Sequence, residues 1–183
     1  MKRLRWIVPA LLLALAMPGC VLTSGQFLID FDLDDFNVST ETLVTREFVD
    51  LTTESVYEDH KEDLQGLADV AILGKITNGI GSPAIGVEVW MTAAATTYAT
   101  QGEVTTPGNA TKLWGPFNLN PGEMKQIGWD ESAALFTSAG KTLLINEIKG
   151  DGMFTIYAIA NIVGTYTFDV DNGVLALVID AAQ

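Results

Sequence analysis

Between Phe27 and Leu33 apolar side chains fall on every second residue, Phe27, Ile29, Phe31 and Leu33 alternating with Leu28, Asp30 and Asp32. Side chains repeat every two residues in a strand and every 3.6 in a helix, so this stretch can bury one face of an extended chain but offers no helical stripe. The same reading gives strands over residues 43–51, 67–77, 84–92, 112–119, 124–129, 153–160, 165–170 and 174–180. Turn chemistry falls between them. Asn78-Gly79-Ile80-Gly81-Ser82-Pro83 suits a hairpin, Asn120-Pro121-Gly122-Glu123 specifies a type II turn, and Asp171-Asn172-Gly173 predicts a final hairpin. Ser55 and Glu58 fit a capping box ahead of a short charged helix closed by Gly66, and Asp130 can cap a second short helix through Phe136, with a helical or irregular piece over 141–148. Residues 93–110, rich in Thr and Ala, read as a mobile loop where a binding surface could vary.

Strands in hairpin order without alternating βα units predict a mainly β chain. Apolar residues are 48% of the 183, too many for disorder, and the length is that of one domain with a core that needs no disulfides. The predicted architecture is an antiparallel, immunoglobulin-like β-sandwich of about seven to nine strands with one or two short helices, after a cleaved signal helix. From Lys112 to Ala160 the order hairpin, Pro-Gly turn, short helix, strand loosely resembles the type 2 late-embryogenesis-abundant sandwiches and other immunoglobulin-like envelope domains. That resemblance is architectural and implies no functional residue.

Lys2, Arg3 and Arg5 form a basic start, Trp6 to Ala16 a short apolar stretch, and small residues follow at Gly19 and Cys20, the pattern of a secretory signal. Ten residues of helix rise only about 15 Å, half a bilayer's hydrocarbon thickness, so cleavage is expected rather than permanent spanning. Met17-Pro18-Gly19-Cys20 resembles the lipobox of bacterial lipoproteins, with Met17 in place of the usual leucine and Pro18 in place of alanine or serine. Cys20 is the chain's one cysteine, which excludes an internal disulfide or a cysteine-based zinc cluster. The resemblance implies a diacylglyceryl thioether on Cys20, two or three acyl chains in all, and stable membrane anchoring. Val21 after the cysteine implies outer-membrane sorting by the enterobacterial pattern. The expected division is therefore a signal peptide over 1–19, a lipidated N-terminus and short tether over 20–26, and one domain over 27–183. Six residues of tether reach about 20 Å, which keeps the domain near the bilayer.

The formal charge is −13, and removing Lys2, Arg3 and Arg5 leaves seven Lys/Arg against twenty-three Asp/Glu. Such a surface excludes nucleic acid as a partner and repels bare anionic lipid. Asp30, Asp32, Asp34 and Glu41 occupy positions one, three, five and twelve of a calcium-loop template, but Asp35 stands where the turn glycine belongs and the segment prefers a strand. Asp169 and Asp171 fit a turn without any ligand. Trp90, Trp114 and Trp129, with Tyr98 and Tyr157, could form an aromatic platform for sugar rings, although strand aromatics more often pack. His60 is the only histidine and lies in a charged segment, Asp59 and Asp63 suit a solvated helical face, and no nucleophile elbow or metalloprotease helix occurs. No metal, cofactor or catalysis is expected. The reading is a lipid-anchored outer-membrane protein whose sandwich serves structure or protein interaction in the envelope, a second envelope protein being the expected partner. The alternative is a glycan-binding or calcium-dependent adhesion module.

Overall fold

A computed structural model describes residues 24–39, 44–162 and 164–182. Among these residues nine strands form: β1 (Ser24–Asp32), β2 (Phe36–Ser39), β3 (Thr45–Asp50), β4 (Leu64–Asn78), β5 (Ile85–Ala93), β6 (Thr111–Leu119), β7 (Met124–Ile127), β8 (Met153–Ala160) and β9 (Thr167–Ala182). Four short α-helices lie in their connections: α1 (Ser55–His60), α2 (Gln101–Thr105), α3 (Trp129–Ala134) and α4 (Ser138–Lys149). One sheet runs β1-β9-β4-β7, with β2 continuing the β1 edge along β9, and the other runs β3-β8-β5-β6. All pairings among the described strands are antiparallel. The chain is the expected mainly β antiparallel sandwich, with more helical segments than the alternation pattern predicts.

The strand order is more specific than the class. The chain folds as nested pairs, β5 with β6, β4 with β7, β3 with β8 and β1 with β9, each pair wrapped by the next. That is the double Greek key of a jelly roll, with β2 added, rather than the immunoglobulin arrangement. Three turns read from sequence do different work in consequence. The 79–84 connection and the Pro-Gly turn do not close hairpins but carry the chain from one sheet to the other, β4 to β5 and β6 to β7. The turn itself is as expected, Gly122 having φ +68° and Glu123 N–H donating to Asn120 O at 3.0 Å. Asp171-Asn172-Gly173 is no hairpin: β9 is one strand of 16 residues, and Asn172 and Gly173 together oppose Gly74 as a bulge in its pairing with β4. Asn172 takes φ 51°, and the corner between β1 and β2 mates with this bulge, Leu33 N–H donating to Gly173 O and Asn172 N–H to Asp35 Oδ1.

Two helix starts also differ. α1 begins at Ser55 with Glu54 as its cap residue and no side-chain bond, so the Ser55–Glu58 box is absent. α3 begins after Gly128, and Asp130 lies inside the first turn, where its charge faces the positive end of the helix instead of capping it. A complete capping box occurs where a mobile loop was expected. Thr100 accepts from Glu103 N–H, and Glu103 returns to the Thr100 N–H, which nucleates α2. Val104 is thereby pressed onto Tyr157 and Ile159 on the outer face of the second sheet, with Trp90, Tyr98 and Ala110 around it. The main core lies between the sheets, with Trp114, Phe117, Phe154 and Phe168 among its largest fully buried side chains.

Candidate functional site

β1 and β3 are the edge strands of their sheets on one flank, where the side chain of Thr45 donates to Asn37 O in β2 across the gap between the sheets. β6 and β7 close the opposite flank through the Pro-Gly turn. An apolar cavity of about 40 Å³ lies between the sheets, lined by Leu33, Ile72, Ile76, Val89, Trp114 and Ile156, and it reaches the β3 flank beside Phe36, Thr45, Arg46 and Glu47. A water needs roughly 10–15 Å³ by this measure, so the space exceeds a packing fault. Glu47 is the carboxylate at its mouth. Desolvation raises its pKa above the ordinary value, and the nearby charge of Asp34 raises it further.

The rest of β3 is unusual for this chain. Phe48 is 49% exposed on an edge strand, and Arg46 beside it is exposed. Arg46 is the one arginine after Arg5, and among the described residues no carboxylate pairs with it. Sequence alone does not flag this cluster, because its alternation merely marks a strand. The signal it does offer is a lone arginine within an acidic chain.

The residues singled out from sequence do not converge. Trp114 is fully buried, its ring stacked on Phe117 and its Nε1 donating to both the carbonyl and the hydroxyl of Ser132. Trp90 lies on the outer face of the second sheet, donating to Glu88, which also pairs with Lys112 at 3.1 Å. Trp129 starts α3 and donates to Asp69 at 2.7 Å. The three tryptophans therefore make no platform, since one is interior and the others hydrogen-bond on different sheets. Trp114 and Trp129 do not pair across the Pro-Gly turn. Tyr157 is fully buried beneath Tyr98, donating to Thr96 O and accepting from Tyr98 N–H.

Asp30 and Asp32 line the exposed face of β1, and Asp32 accepts from Asp34 N–H at the corner. Asp169 accepts from Asn37, and Asp171 pairs with Lys75 at 2.7 Å. Among the described residues no three His, Cys, Asp or Glu side chains are grouped to hold a metal ion. His60 packs against Phe27 with the rings tilted 30° and their centroids 4.7 Å apart. Cys20, with residues 1–19, and Glu41 lie outside the described residues. Among the described residues no helix is long and apolar enough to cross a membrane.

No family model matches this chain, and no curated protein matches it. Among solved structures it is similar to a chain from Desmodium yellow mottle tymovirus, at 13% identity over 87% of this chain and 91% of that one, with a TM-score of 0.24. A superposition that loose defines neither fold nor function. The fold assignment rests on the strand order.

Proposed function

We propose that this chain is a lipoprotein anchored in the outer membrane through Cys20, whose sandwich is a non-catalytic structural or protein-interaction module of the cell envelope. The observation that carries the reading is Met17-Pro18-Gly19-Cys20 at the end of a basic and then apolar leader. The position of β1 is compatible with such an anchor. β1 starts at Ser24, four residues after Cys20 and three earlier than the expected domain boundary, beside Ala182 at the end of β9. Four residues of chain span at most about 14 Å, so the start of β1 stays within that reach of the bilayer surface. The connections 79–84, 120–123 and 161–166 lie at the opposite end, where β4 gives way to β5, β6 to β7 and β8 to β9. β9 alone spans up to about 50 Å at 3.3 Å per residue. A single tether holds one end of this length and leaves the tilt of the sandwich to be set by its contacts.

Fractionating envelopes after chemical cross-linking tests the reading. The protein is expected in the outer-membrane fraction, in stoichiometric cross-links with protein, and Cys20→Ala is expected to release it into the soluble fraction. Soluble wild-type protein, or membrane protein with no cross-linked partner, contradicts the reading.

A further inference from the structure

In an antiparallel ladder, residues turn their backbone groups alternately toward and away from the neighbouring strand. Leu51 N–H donates to Gly152 O at 3.0 Å, one step beyond the Asp50 to Met153 pair of the β3–β8 register. By alternation Val49, Glu47 and Thr45 turn theirs toward β8, whereas Asp50, Phe48 and Arg46 turn theirs outward. The hydroxyl of Thr53 donating to Asp50 O at 2.7 Å fits that assignment. Among the described residues no strand lies beside the outward edge at Phe48 and Arg46. The side chains follow the same rule: Val49 is fully buried, whereas Phe48 lies on the outer surface opposite Thr155, and Arg46 opposite Tyr157.

The sequence Arg46-Glu47-Phe48-Val49-Asp50 is self-complementary in that frame. Turning a copy of the strand antiparallel about Phe48 sets Phe48 against its own counterpart and each Arg46 against the other copy's Asp50, all on one face. Directly opposed side chains on antiparallel strands have Cβ atoms about 4.5–5.5 Å apart, close enough for both an aromatic contact and an ion pair. We infer that two copies of this chain join through β3, antiparallel about Phe48, to make one continuous eight-stranded sheet with two Arg46–Asp50 pairs flanking the Phe48 contact.

This deepens the interaction-module reading by naming the partner as a second copy. Arg46, which no carboxylate pairs with among the described residues of a chain that has acids to spare, is then explained by a carboxylate supplied from outside. Asp50 keeps an oxygen for this use, because Oδ1 takes both bonds from Thr52. The two-fold axis of such a seam stands perpendicular to the joined sheet. Both tethers therefore reach one bilayer when the sandwich lies flat, its strands along the membrane plane and the β1 sheet beneath, an attitude that the single tether permits. The net negative charge of both copies opposes association, but charges farther apart than about 8 Å are largely screened at physiological ionic strength, and the two pairs are much closer. β1 on the same flank is a poorer alternative seam, since antiparallel self-pairing about Phe31 sets each Asp30 against the other copy's Asp32, and pairing about Asp30 sets that carboxylate against its own counterpart.

The test uses the full chain extracted from membranes in mild detergent, its protein mass measured by light scattering. Wild type is expected at twice the single-chain mass, Arg46→Asp and Phe48→Ser at the single mass, and the double variant Arg46→Asp with Asp50→Arg again at twice. Recovery by the double reversal is specific to this register. Asp50→Arg removes the cap on the following turn, so Phe48→Cys provides a second measurement: mild oxidation in the membrane is expected to link two copies through position 48, with wild type remaining unlinked. A single-chain mass for wild type at all concentrations, an unchanged mass for Arg46→Asp, or no cross-link from Phe48→Cys overturns the proposal. A monomer that still carries lipid on Cys20 would refute the seam alone and leave the anchoring reading intact.

Discussion

Ser132 is the residue on which three parts of the core converge. Fully buried in α3, its hydroxyl oxygen accepts from Ile72 N–H at 2.7 Å and from Trp114 Nε1 at 3.1 Å, so the helix substitutes for a neighbouring strand along that stretch of β4. Ser132→Ala leaves the buried Ile72 N–H without its acceptor, whereas Trp114 keeps the Ser132 carbonyl. The expected loss is about 1–3 kcal/mol, measured by urea denaturation. Glu47 makes a prediction about pH. Burial raises its folded-state pKa, so the fold favours the protonated form, and the stability this contributes is lost as pH rises through the folded value. Glu47→Gln is therefore expected to melt above wild type at pH 7, with the difference closing as pH falls below the ordinary carboxylate range. A constant difference across pH would refute this account of Glu47. At this scale sequence conveys residue type but not environment. Trp90, Trp114 and Trp129 look alike as letters, and only the strand order separates a core tryptophan from two surface ones.

Elements were easier to read than the connections between them. Alternation located β1, β5 and β8 to within about three residues, and Gly150-Asp151-Gly152 released β8 where expected. It failed for β9, because Asp171-Asn172-Gly173 has the same local chemistry in a tight turn and in a bulge, and pairing with β4 and the 33–35 corner decides between them. It also missed the strap over 98–110, whose apolar content is little more than Tyr98, Val104 and Ala110, the contacts that hold it down. α4 offers a direct test of element packing. A methyl group at Gly140 would lie 2.6 Å from Leu113 Cα and 2.9 Å from Leu113 O, whereas one at Gly102 in α2 meets nothing within 4 Å. Alanine gains up to about 1 kcal/mol over glycine as a helix former. At 140 that gain is outweighed by pushing α4 off β6, a cost of about 1–3 kcal/mol for overpacking against backbone that cannot move aside. Thermal melts should find Gly140→Ala destabilised and Gly102→Ala neutral or stabilised. The reverse order would mean that α4 does not sit against β6 as described.

At the scale of the whole molecule, the first and last strands pair along their lengths, from Ser24 opposite Ala182 to Asp32 opposite Val174. The start of β1 and the finish of β9 therefore share one end of the sandwich, and the connections 79–84, 120–123 and 161–166 lie at the other. Sequence indicated a sandwich but not its wrapping, because turn residues specify a local reversal and not which sheet receives the next strand. The apolar cavity and the β3 edge were illegible for the same reason, each being made by strands far apart in sequence. The functional reading stands or falls on whether Cys20 fixes one end of this molecule to a membrane. The most direct measurement is mass spectrometry of the N-terminal peptide of the protein isolated from its native envelope. The account predicts a peptide that begins at Cys20 and carries the mass of a diacylglyceryl group, with or without an N-linked acyl chain. A peptide that begins at any other residue, or an unmodified Cys20, would contradict it.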